Sequence, residues 1–195
     1  MQTNKSYGFV TEAQFRFPRP EQKGDSIMPI EAIEQPEILE ISPTLRLKKY
    51  AGVFDFALPW YQDPVVLRMS EGPDVKPYTL ENLKFMYSYL DSHGELYWIE
   101  QLQDGEFVPI GDVTLEPADL PIVLGFPDVR GKGIGRAVVR ALIERARSLG
   151  WDHLSVQNIF DYNIASQKMF LSCGFQKTES TETGASYRLL ITQKA

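Results

Sequence analysis

The stretch Arg130-Gly131-Lys132-Gly133-Ile134-Gly135-Arg136 decides the fold of this chain. An apolar run at 120–126 precedes it, and a helical pattern that reaches Leu149 follows it. Glycine has no Cβ, so the three glycines let the backbone come close to a ligand. Their amides can converge at a helix N-terminus, where the helix dipole favours an anion, and cations lie in the same run. The stretch therefore predicts a pyrophosphate-binding loop between a strand and a helix.

The spacing of this loop differs from the two commoner phosphate loops. A Walker loop needs Gly-Lys-Ser/Thr, whereas Gly135 is followed by Arg136 and Ala137. The dinucleotide fingerprint needs Gly-x-Gly-x-x-Gly, which the glycine spacing here does not fit. The run does match Arg-x-x-Gly-x-Gly, with Arg130, Gly133 and Gly135 in the fixed positions. It resembles the pyrophosphate loop of the GCN5-related N-acetyltransferases (GNAT family).

A second segment, residues 163–175, supports the same resemblance. Asn163 is a good N-cap and Gly174 a good C′ residue, so a short capped helix is predicted between them. The segment is similar to the closing motif of the family, which has an Asn beside the cofactor, a small residue in the first turn, an aromatic residue and then Gly-Phe. The resemblance is specific over 120–175, looser over 45–116, and does not extend to the first 40 residues.

The hydrophobic pattern predicts an α+β (α/β three-layer) fold in the element order β-α-α-β-β-β-α-β-α-β-β. This order matches the family fold, a mixed, mostly antiparallel sheet flanked by helices. We expect a helix over 51–62 that is broken at Pro59 and ended by Asp63-Pro64, and a second helix over 80–91 capped by Thr79. We expect an acetyltransferase domain over 44–195 and a partly extended N-terminal arm over 1–43, in which Met28 could be an alternative start.

The resemblance implies acetyl-coenzyme A as donor and a primary amine as acceptor. Backbone amides from Val129 through Arg136 would hold the pyrophosphate, and the amide of Leu124 would polarise the thioester carbonyl. Asn163 would contact the pantetheine arm. The full set of cofactor-binding candidates is Leu124, Gly125, Val129, Arg130, Gly131, Lys132, Gly133, Ile134, Gly135, Arg136, Asn163 and Phe170.

The candidate catalytic residues are carboxylates. The amine must lose a proton before it attacks, so a base or a water relay is expected. The resemblance implies a carboxylate at or near the start of the strand that precedes the loop. The candidates are Asp119 and Glu116, with Asp112 as a third, and spacing does not choose among them. Many family members have a tyrosine that protonates the leaving thiolate, whereas this chain has Phe170 there. Either another donor serves, such as water or Ser166, or the thiolate leaves unassisted, which a thiol pKa near 8.5 makes feasible. The replacement also leaves a non-catalytic acyl-coenzyme A sensor as an alternative to an enzyme.

A weaker resemblance concerns the acceptor. The segments 60–64 and 78–83 are similar to the branch that contains aminoglycoside 6′-N-acetyltransferases and ribosomal-protein N-terminal acetylases. In that branch Trp60 and Asp63 would line the acceptor cleft, although Trp60 could equally be a core aromatic. We therefore expect a small cationic acceptor of aminoglycoside or polyamine type, with an acetylase of protein N-termini as the alternative.

Composition and charge restrict the partners. The 195 residues have 43% hydrophobic content and a net charge of −6, which suits a globular protein and not a nucleic-acid-binding one. Residues 71–119 hold 11 acidic and 2 basic residues, whereas 128–149 hold 6 basic and 2 acidic. An acidic surface attracts amines. A single cysteine, Cys173, predicts a cytoplasmic location, and the lack of a long apolar run predicts no membrane partner. We expect no metal cofactor. The oligomeric state stays open, with a homodimer as one option.

Overall fold

The computed structural model describes residues 33–191, which form two antiparallel sheets and four α-helices. The larger sheet has the strand order β1-β2-β3-β4-β5, and the smaller has the order β6-β8-β7. The strands are β1 (Ile38–Ser42), β2 (Leu45–Lys49), β3 (Glu95–Gln103), β4 (Glu106–Leu115), β5 (Ile122–Leu124), β6 (His153–Phe160), β7 (Gln176–Ser180) and β8 (Gly184–Leu190). Within this described range, β5 is an edge strand of the larger sheet and β6 is an edge strand of the smaller sheet, so each pairs with a strand on one side only.

The helices begin and end at recognisable capping residues. They are α1 (Pro64–Ser70), α2 (Leu80–His93), α3 (Ile134–Ser148) and α4 (Ile164–Ser172). Thr79 caps α2 in a capping box with Asn82, and Asn163 caps α4 by accepting from the amide of Ser166. Short 3-10 turns cover Asp55–Ala57, Trp60–Gln62 and Pro127–Val129. None of the helices between residues 33 and 191 is long and apolar enough to cross a membrane.

Two hydrophobic cores lie on opposite faces of the large sheet. On one face, α3 and the small sheet pack against alternate residues of β3 and β4, such as Ile99 and Val113. On the other face, α1, α2 and the 3-10 turns pack an aromatic cluster against Leu96 and Trp98 of β3. The fold class predicted from the sequence is confirmed, with the sheet divided between β5 and β6.

Two boundaries differ from the sequence prediction. Strand β1 lies at 38–42, which was assigned to the arm, and it pairs with β2 from Ile38↔Lys48 onward. The sheet therefore begins before residue 44, because the alternation in this short acidic segment was too weak to distinguish a strand from an extended arm. The rest of the predicted arm, residues 1–32, lies outside the described residues.

The helix predicted over 51–62 is also wrong. This segment forms two 3-10 turns, and the α-helix begins at Pro64, where the sequence analysis placed an end. Proline is compatible with the first position of a helix, because its missing N–H would have no partner there. The carboxylate of Asp63 accepts from the amide of Val65 at 2.7 Å and so caps α1. Asp63-Pro64 is thus a start signal.

Candidate active site

A cavity of about 750 Å³ opens where the two sheets diverge. Residues from both facing edge strands line it, including Leu124 on β5 and Asn158 on β6. The sheets are joined at one end of this opening, where the amide of Gln157 donates to the carboxylate of Asp119 at 3.0 Å. The division of the sheet therefore creates a deep site whose walls are strand edges with backbone groups available for a ligand.

The glycine loop lies at one end of the cavity. Gly131 and Gly133 have positive φ angles of 74° and 83°, a conformation that favours glycine. Gly133 is the N-cap of α3 and offers no side chain to the first amides of the helix, which remain available to an anion. A Cβ on Gly135 would point across the cavity, with its nearest neighbours Met169 and Ile122 at 3.9 and 4.0 Å. The glycines thus leave open a space that a side chain would fill, and a bound pyrophosphate needs that space.

The open edge of β5 offers backbone groups along the cavity wall. The hydrogen bonds from Gly125 N to Ile110 O and from Thr114 N to Pro121 O show which backbone groups along β5 point toward β4. In an antiparallel ladder alternate residues point their amides to opposite sides, so the Leu124 amide points away from β4. Leu124 also lines the cavity. This is the geometry expected of the predicted thioester-polarising amide and of an extended pantetheine arm beside the strand.

Three predicted cofactor residues do not line the cavity. Val129 is buried in the core, and Lys132 is exposed. Gly125 lies against Trp60, and a Cβ there would come within 2.4 Å of the indole ring. These positions shape the loop and the strand end and are not walls of the cavity. The other nine predicted positions do line it: Leu124, Arg130, Gly131, Gly133, Ile134, Gly135, Arg136, Asn163 and Phe170.

Arg130 has a structural task in addition to its place at the cavity. Its Nε donates to Leu124 O at 3.2 Å and its Nη2 to Gly125 O at 3.4 Å. The guanidinium also lies 3.8 Å from the carboxylate of Asp63. Arg130 therefore braces the glycine loop against the end of β5 and against the start of α1. This brace explains why an arginine, with several fixed donors, suits the position.

The α4 end of the cavity is tied to α1. Asn163 Nδ2 donates to Met69 O at 3.1 Å, and the hydroxyl of Tyr162 donates to Arg68 O at 2.6 Å. Phe170 lines the cavity and packs its ring 5.1 Å from that of Phe175, so it also belongs to the core. A phenylalanine side chain has no proton to give, so Phe170 cannot act as an acid here.

The other end of the cavity holds a buried carboxylate, Asp112 on β4. Only 3% of Asp112 is exposed, and it lines the cavity. The hydroxyl of Tyr61 lies 3.0 Å from both of its oxygens, and the hydroxyl of Tyr87 donates to one of them at 2.9 Å. Burial, with a smaller contribution from the charge of Glu71, raises the pKa of Asp112 to about 7, against the lowering effect of the two hydroxyls. A carboxyl that titrates near neutrality is suited to be a general base.

Of the three candidate bases, the structure therefore favours Asp112. Asp119 and Glu116 are both buried, but neither lines the cavity. The carboxylate of Asp119 accepts the Gln157 amide and so joins β6 to the segment before β5. Asp119 and Glu116 are candidates because they precede β5, the strand before the loop. Asp112 instead reaches the site through strand pairing, because it lies opposite Val123 on β5.

The two residues predicted to line an acceptor cleft have other positions. Trp60 is buried in the aromatic core, with its ring 6.1 Å from that of Trp98. Asp63 caps α1 and contacts Arg130. Neither lines the cavity. Tyr61, which follows Trp60, and Glu71, at the end of α1, do line the cavity. Neither was predicted, because no spacing rule separates them from ordinary aromatic and surface positions.

The cavity wall carries charges of both signs. The glycine loop and α4 contribute Arg130, Arg136 and Lys168, whereas β4 and the end of α1 contribute the carboxylates of Asp112 and Glu71. The cations suit an anionic ligand and the carboxylates suit a cation. One continuous cavity can therefore hold a phosphate-bearing donor and a cationic acceptor in contact.

Comparison with known families identifies the fold family. A model described as the acetyltransferase (GNAT) domain matches residues 44–176. The chain belongs to the GNAT acetyltransferase family. The predicted family and enzyme class, an acetyl-coenzyme A-dependent N-acetyltransferase, are thus confirmed. A comparison with curated protein sequences found no match.

Solved structures with the same fold include several acetyltransferases. Spermidine N-acetyltransferase from Vibrio cholerae, in complex with CoA and spermine, is 16% identical at a TM-score of 0.63, over 77% of this chain and 97% of that chain. The aminoglycoside acetyltransferase AAC(6')-Ib with coenzyme A is 16% identical at 0.61, over 75% and 95%. RimL, a ribosomal L7/L12 α-N-protein acetyltransferase with coenzyme A, is 16% identical at 0.63, over 80% and 98%.

Proposed function

We propose that this protein transfers acetyl from acetyl-coenzyme A to the primary amine of a small cationic acceptor, with Asp112 as general base. The observation that carries the proposal is the single cavity that runs from the glycine loop to a buried carboxylate held by two tyrosine hydroxyls. The structural neighbours include proteins that bind CoA together with spermine or an aminoglycoside. These neighbours support the donor and agree with a cationic acceptor.

The donor would lie along residues that fit its parts. The first amides of α3 and the side chain of Arg136 would hold the pyrophosphate, and the edge of β5 would align the pantetheine arm. The Leu124 amide would donate to the thioester oxygen, where negative charge develops as the amine attacks. Asn163 would lie beside the arm at the start of α4, held there by its bond to Met69.

The acceptor would enter at the carboxylate end. An alkylammonium has a pKa near 10.4 in water and must become a neutral amine to attack. A desolvated site lowers the pKa of an amine, and the Asp112 carboxyl, with a pKa of about 7, can then accept its proton at physiological pH. Glu71, on the same wall, adds negative charge that attracts the ammonium.

A thiol-release assay across polyamines, aminoglycosides and peptides with free N-termini tests the proposal. We expect turnover with at least one cationic amine, a low rate with peptides, and loss of turnover in Asp112→Asn with retained coenzyme A affinity. A peptide preference would instead support an acetylase of protein N-termini. Tight coenzyme A binding without turnover on any amine would support the acyl-coenzyme A sensor, which the missing hydroxyl at Phe170 favours.

A further inference from the structure

The proposed reaction needs a proton at the end as well as a base at the beginning. The departing coenzyme A thiolate must be protonated, and Phe170, which lines the cavity, cannot supply the proton. A hydroxyl that lines the cavity and contacts the proposed base could supply it, and Tyr61 carries such a hydroxyl. It lines the cavity together with Asp112, and it lies 3.0 Å from both carboxylate oxygens.

We infer that the Tyr61 hydroxyl is the proton relay of this site: it passes a proton from the acceptor ammonium to Asp112 and later from Asp112 to the thiolate. The inference rests on the proposed function. Tyr61 lies on the 3-10 turn before α1. It would protonate the thiolate in place of the tyrosine that many family members have at the position of Phe170.

The position of Tyr61 relative to β5 supports this role. Asp112 pairs in register with Val123, the residue before Leu124. The Tyr61–Asp112 pair therefore lies beside the point on β5 where the Leu124 amide would hold the thioester oxygen. Tyr87, in contrast, holds Asp112 from α2 and does not line the cavity. The two tyrosines contact the same carboxylate, but of the two only Tyr61 lines the cavity in which the reactants would bind.

The relay balances protons as follows. The ammonium gives one proton to the Tyr61 oxygen while the Tyr61 hydroxyl proton moves to the Asp112 carboxylate. The amine nitrogen then bonds to the acetyl carbon, and the carbon–sulfur bond breaks to leave the thiolate. The thiolate takes the Tyr61 proton while the Asp112 carboxyl proton returns to Tyr61. The new amide nitrogen loses its second proton to solvent, so the reaction releases one proton overall.

The ionisation of both groups agrees with such a coupled transfer. Burial, followed by the charge of Asp112, raises the pKa of Tyr61 well above its usual value, so a free phenolate is disfavoured and the proton must be replaced as it leaves. The pKa of Asp112 is about 7, below the value of about 8.5 for a thiol, so return of the proton to the thiolate is downhill. The groups that face Asp112 are Tyr61, Tyr87 of α2 and Glu71 after α1.

The test compares Tyr61→Phe with Tyr87→Phe. Each variant keeps the ring and removes one hydroxyl donor from Asp112, so both should raise the pKa of Asp112, which a carbon-13 NMR titration of the free protein measures. Tyr87→Phe should lose activity at low pH and recover at high pH, when Asp112 is ionised. Tyr61→Phe should stay about 10²-fold or more below wild type in kcat even at pH 9, with unchanged coenzyme A affinity by calorimetry.

Equal recovery of the two variants at pH 9 would overturn the relay while leaving the proposed transferase activity intact. If Tyr61→Phe fails to fold, the relay is tested in the wild-type enzyme by measuring kcat as a function of the deuterium fraction of the solvent. A curved dependence, from two protons that move together, supports the relay. A straight line overturns it. Absence of turnover in the wild type with every amine would instead refute the proposed function.

Discussion

Gly135→Ala should make the protein more stable and at the same time weaken its binding of coenzyme A. Gly135 lies in the first turn of α3 without a positive φ angle, and an added Cβ would have no neighbour closer than 3.9 Å. The substitution therefore causes no strain, and alanine in a helix is favoured over glycine by roughly 0.5–1 kcal/mol. Thermal unfolding should show a small rise in Tm.

The loss of affinity follows from the same methyl group. It projects about 1.5 Å beyond Cα, roughly one carbon–carbon bond, into the space a pyrophosphate would occupy. A displacement of that size stretches amide–phosphate hydrogen bonds beyond about 3.2 Å. Loss of two charge-assisted bonds, at about 1.5–3 kcal/mol each, weakens binding by about 10²–10⁴-fold. Gly135→Val should weaken it further.

Calorimetry with coenzyme A and thermal unfolding together measure both effects. Gly150→Ala, at the other end of α3, is the matched control. Gly150 has a φ of 77° and does not line the cavity, so alanine there should lower stability and leave coenzyme A affinity unchanged. Wild-type affinity in a folded Gly135→Ala protein would refute the assignment of the loop.

Three further predictions concern the base, the missing acid and the N-terminal segment. The pKa of Asp112 is about 7 in the folded protein, above its value in the unfolded chain. The stability that the protonated carboxyl contributes is therefore lost as pH rises from about 4 to 7. Asp112→Asn, which cannot ionise, should raise Tm at pH 8 more than at pH 5. Phe170→Tyr should change kcat little, since Tyr61 already provides a hydroxyl, and should lower Tm because Phe170 is packed in the core; a tenfold gain in kcat would contradict this. A chain that starts at Met28 should remain folded by circular dichroism and size-exclusion chromatography, whereas insolubility or a new oligomeric state would show that the removed segment is structural.

The loop and the capped helices could be predicted because their signals are local. Gly133 and Gly135 stand at fixed spacing, and Asn163 and Thr79 cap helices through contacts within three residues. The start of α1 could also have been predicted, since a proline at the first helical position after an aspartate is a known start signal. These features depend on few residues that are adjacent in sequence.

The contacts that favour Asp112 as the base could not be predicted in the same way. Asp112 meets Tyr61 and Tyr87 across 51 and 25 residues, through the pairing of β4 and the packing of α2. No sequence spacing encodes those distances. The same applies to Trp60, whose burial against Trp98 depends on how the turns before α1 fold over β3. The sequence therefore offers Asp119, Glu116 and Asp112 as candidate bases without choosing among them.

The pH dependence of kcat/KM for a cationic amine tests the central claim most directly, in wild type and in Asp112→Asn. A base that must be ionised makes the rate rise with pH and level off above its pKa. For the wild type we predict a break near 7, the value that burial gives Asp112, and for Asp112→Asn a much lower rate without that break. A rate that rises without a break toward the pKa of the free amine, near 10.4, in both proteins would contradict the account.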